Sequence, residues 1–463
     1  MTAVPLSRLR RTFPVRATAL CLVSFAAFWV AQRLAGVTMV DLMVYRAEGR
    51  AVLDGADLYA LRATENNLPA TYPPFAALLF TPLPLLGTGL MRTLATAGNL
   101  LLLAALALLT LRLVTDRSGG RPLPRGLTWL GGPALAALAV WSEPVWTTLR
   151  YGQINLLITV LVLWDMRYLP GGGPARGRRW AGAGIGLAAA VKLTPGLFIA
   201  FLLLTGVVAA VRGGAAQPWL ALARNAVLWF LGATAAAAAV LPRDSWRFWS
   251  GTFLEAERAG HPEQTANQSL RGLLGRLLHT ADPGLWWLAA ALLVGAAGLA
   301  VAVAAALRGR AAWAATACGV TALLVSPVSW SHHWVWCVPM AVLALSEAVR
   351  VSGRWHRAGA AALTAAFFTY SLWWVPHGVE RPELHQGPAE FALSALYPLA
   401  ALGFLALTLR AVRRPAGADR ADVALPAQHV PRDRSEAAAG AEGAGRQAAG
   451  EAGRSGRQAV AKE

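Results

Sequence analysis

Long apolar segments alternate with short polar ones along most of this chain, and their lengths give the first prediction. A helix that crosses a membrane needs about 20 apolar residues, or fewer where neighbouring helices shelter it. The segments that meet this condition are 17–37, 88–111, 127–143, 152–168, 180–191, 193–211, 219–241, 285–307, 311–326, 334–350, 357–375 and 390–411. Segment 72–87 is shorter and rich in proline, so we expect it to enter the membrane only part of the way. The pattern predicts an all-α, polytopic membrane helical bundle of about twelve spans.

An amphipathic pattern replaces the apolar one directly after the first segment. The apolar positions that recur there at three- and four-residue steps are Leu42, Tyr45, Gly49, Val52 and Leu53. This spacing predicts a short helix that lies along the membrane surface. The two prolines of Tyr72-Pro73-Pro74-Phe75 then fix the return into the membrane. Asp41 stands at the start of the predicted helix, where it is either a base at the mouth of the bundle or the cap of a helix that begins at Leu42.

Composition supports the membrane assignment. Of 463 residues, 56% are hydrophobic and 14% are charged, whereas about a quarter of a soluble protein is charged. The net charge of +18 comes almost wholly from arginine, because Lys192 and Lys462 are the only lysines. The arginines cluster in short polar segments, which is typical of cytoplasmic loops and argues against nucleic-acid binding. These segments are 112–125, 167–179, 212–224, 308–310 and 350–357.

Alternation of twelve spans puts every arginine-rich segment on the same side as the N-terminus. The positive-inside rule makes that side cytoplasmic, so we expect both termini inside and the other polar segments outside. The chain then divides into a basic cytoplasmic N-terminus (1–16), a membrane domain (17–411) with outer loops 38–74 and 242–284, and a tail (412–463). The tail has no apolar periodicity, and we expect it to be disordered and cytoplasmic.

Three polar residues at or within the membrane are candidates for a site on the outer side. Gln153 and Asn155 open an apolar segment, where their amides suit a hydroxyl-rich ligand, or else helix capping and helix–helix hydrogen bonds. Lys192 lies between two apolar segments, and an ionisable residue at membrane depth is a functional candidate by default. A compact ammonium group suits a phosphate oxygen, although the side chain could also extend to the membrane surface.

Two further outer motifs carry candidate residues. Asn267-Gln268-Ser269 precedes a predicted leucine-rich helix. The motif is either a polar contact to a ligand or the N-cap of that helix. The stretch 326–334 contains His332 and His333, which lack the spacing of a zinc motif and have no carboxylate nearby in sequence. We therefore expect an imidazole donor to a phosphate or sugar, with Trp330 or Trp334 stacking on the sugar, and no metal or other cofactor.

The cysteines give no further chemistry. Cys21, Cys318 and Cys337 lie in or beside apolar segments and form no CxxC pair, so we interpret them as small core residues.

Taken together, these motifs resemble a known family. They are Val40-Asp41-Leu42 with Val44-Tyr45, Leu58-Tyr59, Thr71-Tyr72-Pro73-Pro74-Phe75, Tyr151-Gly152-Gln153-Ile154-Asn155, Lys192-Leu193-Thr194-Pro195, Asn267-Gln268-Ser269 and the stretch 326–334. In this order, over roughly residues 17–411, the chain resembles glycosyltransferase family 87. That family consists of polyprenyl-phosphate-mannose-dependent α-1,2-mannosyltransferases of actinobacteria, with GT-C architecture.

The resemblance implies an inverting hexosyltransferase in the plasma membrane, with its active site on the extracytoplasmic side. It implies Asp41 as the general base, with Asp54 or Asp57 as a possible helper. Its partners would be a polyprenyl-phosphate sugar donor, a lipid-linked glycan acceptor and membrane lipids, and no nucleic acid. The candidate substrate-binding residues are Tyr45, Tyr59, Tyr72, Gln153, Asn155, Lys192, Asn267, Gln268, His332, His333 and Trp334. Of these, Lys192 and the two histidines would hold the leaving phosphate.

A polytopic transporter or lipid flippase of the cell envelope is the alternative function, and a scaffold with a degenerate site is a third. A transporter should have repeat symmetry and polar residues near mid-membrane on broken helices. In this chain the polar residues gather at one interface, around two large outer loops, which favours an enzyme that acts on a lipid substrate. The identity of the acceptor stays open.

Overall fold

The computed structural model describes residues 6–115, 125–169, 180–351 and 353–414. Nearly all of the predicted tail therefore lies outside the described residues. The α-helices, numbered α1 to α18 in chain order, are Leu6–Leu34, Val40–Asp54, Pro74–Phe80, Thr88–Thr115, Arg125–Ala139, Glu143–Tyr151, Asn155–Met166, Ala183–Val191, Gly196–Val211, Gln217–Val240, Pro242–Ser250, Leu270–Leu277, Gly284–Leu307, Ala311–Val325, Cys337–Val351, Arg354–Ala366, Pro388–Ser394 and Leu396–Arg413. Strands β1 (Arg62–Ala63) and β2 (Leu68–Pro69) pair antiparallel between α2 and α3.

Short 3-10 helices complete the described elements and occur mostly in the connecting segments. They are Leu83–Leu85, Thr252–Leu254, Ala256–Ala259, Ser331–Trp336, Ser371–Trp373 and Pro382–His385. Helix α1 begins at Leu6, inside the predicted basic N-terminus (1–16).

Helix lengths support a multi-pass membrane protein but do not confirm about twelve spans. Within the described ranges, six helical segments are long and apolar enough to cross a membrane: Val15–Leu34, Thr88–Thr115, Gln217–Val240, Gly284–Leu307, Ser331–Val351 and Leu396–Arg413. Each of the other six predicted segments contains a helix, but a shorter one. Helix α8 has nine residues, a rise of about 14 Å at 1.5 Å per residue. The hydrocarbon core is about 30 Å thick, so this helix alone is too short to cross it.

Helix α14 lies at the centre of the bundle. All its residues from Ala311 to Leu324 are buried, and it contacts α4, α7, α9, α13, α15 and α18. Its sequence is rich in alanine, glycine and threonine, which let neighbouring helices approach closely. At Gly319 a Cβ atom would stand 2.6 Å from the ring of Trp336, so the small residue is required by the contact.

The outer loops predicted between the spans are held to one another by polar contacts. Asp244 Oδ1 accepts a hydrogen bond from the Leu58 N–H at 3.0 Å, and Arg247 pairs with Asp57 at 2.5 Å. These contacts join the segment after α2 to helix α11, which begins the second predicted outer loop. That loop is joined in turn to the stretch before α15, because the Gln268 N–H donates to the carbonyl of Ser329 at 2.8 Å.

Candidate active site

A cavity of about 550 Å³ opens where these connecting segments meet. Its lining comes from the start of α2, the turn before α3, the end of α6, the break between α8 and α9, and the segments 248–266, 326–333 and 373–383. Every one of these segments was predicted to lie on the outer side. The cavity is therefore the place where the separate sequence motifs come together.

Asp41 lines the cavity from the first turn of α2. The helix begins at Val40, and its N-cap position is Met39, in the left-handed conformation and without a side-chain cap. The prediction that Asp41 caps a helix starting at Leu42 is therefore wrong, because the helix begins two residues earlier. The carboxylate instead accepts a hydrogen bond from Gln153 Nε2 at 2.7 Å.

A glycine brings Gln153 to this carboxylate. Helix α6 ends at Tyr151 and is capped by Gly152, whose φ of 70° is left-handed. The Gln153 N–H then donates to the carbonyl of Thr148 at 2.9 Å. A Cβ atom at Gly152 would stand 2.7 Å from Cβ of Leu42. Glycine is thus needed for both the turn and the close approach of α6 to α2.

Burial sets the protonation of Asp41. It raises the pKa of the carboxyl to about 6, while the hydrogen bond from Gln153 and the charge of Lys192 act in the opposite direction. A carboxyl with a pKa near the working pH can both accept and release a proton, which suits a general base.

Lys192 lies in an extended link between α8 and α9, where Pro195 precedes the second helix. Its Nζ contacts Asn155 Oδ1 at 3.1 Å and His333 Nε2 at 2.9 Å. The amine is therefore turned to protein partners. Burial lowers the pKa of Lys192 to about 7, with Asp41 acting in the opposite direction.

The two histidines have different surroundings beside this amine. His333 Nδ1 accepts a hydrogen bond from the Trp330 N–H at 3.1 Å, so the proton of a neutral ring lies on Nε2, towards Lys192. The carbonyl of His332 accepts from Asn155 Nδ2 at 2.9 Å, and its ring lies edge-on to Tyr151. Both histidines line the cavity, whereas Asn155 lines a smaller pocket beside it.

Two of the predicted tyrosines line the cavity and one supports it. Tyr45 and Tyr72 are lining residues, and their hydroxyls lie 2.8 Å apart. Tyr59 is buried, stacks on Phe248 and donates its hydroxyl to the carbonyl of Tyr72 at 2.9 Å. Tyr59 therefore holds the turn that carries Tyr72, and the structure does not bring it to the cavity surface.

Three other predicted binding residues do not line the cavity. Asn267 and Gln268 are fully buried and hydrogen-bond to backbone groups of neighbouring segments. Trp334 is fully buried against Tyr397. The cavity tryptophan of the same stretch is Trp330, the other candidate from the sequence. The N-cap interpretation of the Asn267 motif is confirmed for Ser269, whose Oγ accepts from the Gly272 N–H at 3.2 Å.

The possible helper acids also lie elsewhere. Asp54 pairs with Arg50, and Asp57 pairs with Arg247, and neither aspartate lines the cavity. Among the described residues, the acidic lining residues are Asp41, Glu255 and Glu383. No group of three or more histidine, cysteine, aspartate or glutamate residues suited to a metal ion occurs in that part of the chain.

Sequence reasoning missed several residues around the cavity. Arg258 lines it, and its guanidinium donates to the carbonyl of Tyr59 at 2.9 Å. Glu143 is fully buried behind it and accepts from Ser331, Trp373 and Tyr397 at 2.8–2.9 Å. An acid between two apolar segments was a visible signal for Glu143, whereas nothing local to the sequence distinguishes Arg258 from other loop arginines.

Comparisons with known proteins identify the family of this chain. The model of glycosyltransferase family 87 matches residues 70–327, more than half of the chain. A polyprenol-phosphate-mannose-dependent alpha-(1-2)-phosphatidylinositol mannoside mannosyltransferase of Mycolicibacterium smegmatis is 34% identical over 371 residues, covering 74% of this chain and 78% of that protein. A polyprenol-phosphate-mannose-dependent alpha-(1-2)-phosphatidylinositol pentamannoside mannosyltransferase of Mycobacterium tuberculosis is 31% identical over 396 residues, covering 82% and 83%.

Among solved structures, ArnT from Cupriavidus metallidurans bound to undecaprenyl phosphate is similar with a TM-score of 0.34 and 17% identity, over 86% of this chain and 77% of that one. The assignment follows from the family match and the mycobacterial relatives. On that basis, the chain belongs to glycosyltransferase family 87.

Proposed function

We propose that this protein is an inverting α-1,2-mannosyltransferase of GT-C architecture, which moves mannose from a polyprenyl-phosphate donor to a lipid-linked glycan. Family membership and the activities named for the mycobacterial relatives support the reaction class and the donor. The observation that carries the proposal is that Asp41 and Lys192, a carboxylate and an amine, line one cavity. A glycosyl transfer from a lipid phosphate needs both kinds of group.

Asp41 is the general base of this reaction. The acceptor hydroxyl oxygen attacks the anomeric carbon, and the bond from that carbon to the phosphate oxygen breaks. The hydroxyl proton passes to the carboxylate, while the leaving phosphate keeps the bonding electrons. A pKa of about 6 leaves Asp41 ionised at neutral pH and basic enough to take the proton as it is released.

Lys192 stabilises the negative charge that develops on the leaving phosphate. Its Nζ donates to Asn155 Oδ1 at 3.1 Å, and no carboxylate of the described residues pairs with it. The neutral His333 ring carries its proton on Nε2 and does not accept from the charged amine, so Lys192 keeps donors for the phosphate. Charge stabilisation of this kind is strongest where water is largely excluded, and Lys192 is half-buried. Tyr72, whose ring centroid lies 5.5 Å from the amine, and Trp330 offer aromatic faces to the sugar.

The site faces the extracytoplasmic side. This orientation rests on the arginine-rich segments, because every segment that lines the cavity belongs to the opposite set. It can be tested with reporter fusions. We expect a cytoplasmic signal after Arg310 and an external signal near His261. A cytoplasmic signal at His261 would contradict the orientation.

The reaction is tested by incubating membranes that contain the protein with radiolabelled polyprenyl-phosphate-mannose and phosphatidylinositol mannosides, followed by lipid extraction and chromatography. We expect label in a larger mannolipid, and no such product with membranes that lack the protein. The activity is an α-1,2-mannosyl transfer if an α-1,2-specific mannosidase removes the label. Wild-type membranes that carry labelled donor across the bilayer, without making a mannolipid, would support a transporter instead.

A further inference from the structure

Gln153 makes contacts that differ from those expected of a sugar-binding amide. Its Nε2 donates to Asp41 Oδ2 at 2.7 Å, and its Oε1 accepts from the hydroxyls of Tyr45 at 2.7 Å and Tyr72 at 3.1 Å. An amide has two N–H donors and two acceptor lone pairs. Both ends of the amide are therefore occupied by protein partners, and the residue is 6% exposed.

We propose that Gln153 is a positioning residue, which holds the Asp41 carboxylate ionised and aimed at the acceptor hydroxyl instead of binding sugar itself. This inference rests on the proposed function, because it concerns the base of that reaction. It assigns Gln153 a role different from the ligand contact that its place in the sequence predicts.

The Asp41 carboxylate determines which way the amide faces. An ionised carboxylate only accepts, so Nε2 is turned to Asp41, and Oε1 is left to the tyrosine hydroxyls, which can donate to it. If the amide were rotated by half a turn, Oε1 would face an ionised carboxylate, and two acceptors would oppose each other without a proton between them. The rotated state is compatible only with protonated Asp41. The orientation therefore favours the ionised base.

Packing keeps the amide in this place. Tyr45 and Tyr72 are buried, and the ring of Tyr45 stacks on Phe80 with centroids 4.4 Å apart. On the other side, the contact of Gly152 with Leu42 fixes the distance between α6 and α2. The chain of contacts thus runs from two rigid tyrosines through Gln153 to the carboxylate.

A hydrogen bond to the ionised form lowers the pKa of a carboxyl. Loss of the Nε2 donor should therefore raise the pH at which Asp41 gains its proton. The acidic limb of kcat/KM reports this protonation in the free enzyme. Residues that bind only sugar would instead change the KM and leave that limb in place.

The experiment measures transfer rates against pH for wild type, Gln153→Glu and Gln153→Ala, at several donor and acceptor concentrations. Gln153→Glu has the same size and keeps an oxygen for both tyrosine hydroxyls, but replaces the amide donor with a carboxyl. The matched control is Gln264→Glu, which puts a carboxyl on the same cavity without a contact to Asp41.

We expect the acidic limb to move up by about one pH unit in Gln153→Ala, which is about tenfold in rate below the limb. In Gln153→Glu it should move further, because two adjacent carboxyls share one proton. Donor KM should stay within about twofold in both variants, and Gln264→Glu should keep the wild-type limb. If Gln153→Ala fails to accumulate in membranes, the isosteric Gln153→Glu carries the test.

Two results would overturn the inference. One is a wild-type pH profile for Gln153→Glu, which would mean that the residue only holds the tyrosines. The other is a large rise in donor or acceptor KM with the acidic limb unmoved, which would mean that it binds sugar. Failure of the proposed function is recognised separately, because wild-type membranes would then make no labelled mannolipid. Failure of Asp41 as the base is recognised by an Asp41→Asn variant that keeps its activity whatever the Gln153 variants do.

Discussion

Two groups of polar residues, both in segments predicted to lie outside, have the same kind of sequence and opposite surroundings. The cavity cluster consists of Asp41, Gln153, Lys192 and His333, which all line the cavity. The loop knot consists of Asn267, Gln268 and Arg276, which are fully buried and bond to backbone groups. Both groups occur next to helix termini in segments predicted outside. The two groups differ in whether their side chains keep hydrogen-bonding groups that a ligand can reach.

The loop knot uses its capacity within the protein. Asn267 Nδ2 donates to the carbonyls of Pro262 at 2.8 Å and Pro327 at 3.3 Å, and Oδ1 accepts from the Ser329 N–H at 2.9 Å. Arg276 donates to the carbonyls of Gln264 and Asn267, each at 3.0 Å. In the cavity cluster, by contrast, an amine and a carboxylate face open space. We therefore expect mutations in the cavity cluster to change the rate, and mutations in the knot to change stability.

The largest effect should come from Asp41→Asn. The substitution keeps the size and removes the proton acceptor, so the transfer rate should fall by about two to four orders of magnitude. Stability should hardly change, because Asp41 is not the N-cap of α2. Initial rates at equal protein level, with thermal melting in detergent, measure both quantities. Asp282→Asn is the matched control, because its side chain is 77% exposed and lies outside the cavity lining. A near-wild-type rate in Asp41→Asn would place the base elsewhere.

Lys192→Met should come next, with an effect on donor use. Methionine keeps most of the length and removes the amine, so KM for the polyprenyl-phosphate donor should rise about tenfold or more, the value of one charge-assisted contact. Use of the acceptor should change less. The measurement is the initial rate against donor concentration at fixed acceptor. An unchanged donor KM and kcat would mean that Lys192 does not bind the phosphate and has only a structural role.

The opposite behaviour is expected for Asn267→Ala. Removing the amide leaves the Ser329 N–H and the Pro262 carbonyl without this partner in a buried place, which should cost about 2–3 kcal/mol of stability. The rate per folded molecule and donor KM should stay close to wild type. Thermal melting and active-site titration separate these quantities. A stable variant with a raised donor KM would move Asn267 into the site.

The smallest and most specific effect concerns pH. Asp41 loses its charge as the pH falls below about 6, and Lys192 loses its charge as the pH rises above about 7. Since the proposed reaction needs both charges, kcat/KM should have a narrow bell-shaped profile between these values. Lys192→Arg should remove the alkaline limb, because arginine stays charged. A flat profile from pH 5 to 8 would contradict the pairing.

The sequence predicts the helices better than it predicts which polar residues face the ligand. Apolar periodicity identifies α2, and proline explains the break at Lys192, because both are local effects. The inward rotation of Trp334, four residues after Trp330, depends on a 3-10 helix packed against Tyr397. Asn267 faces the protein interior because its amide donates to the carbonyls of Pro262 and Pro327. Such partners come from tertiary packing, which one sequence does not contain.

In the proposed mechanism, Asp41 is the base and Lys192 the phosphate-binding amine of one cavity. The most direct measurement is the affinity for polyprenyl phosphate, the sugar-free product, in purified wild type, Asp41→Asn and Lys192→Met. We expect Asp41→Asn to bind as tightly as wild type or more tightly, because a negative charge near the phosphate has been removed, although its transfer rate has collapsed. Lys192→Met should bind about tenfold or more weakly. Weakened binding in Asp41→Asn together with unchanged binding in Lys192→Met would contradict the account.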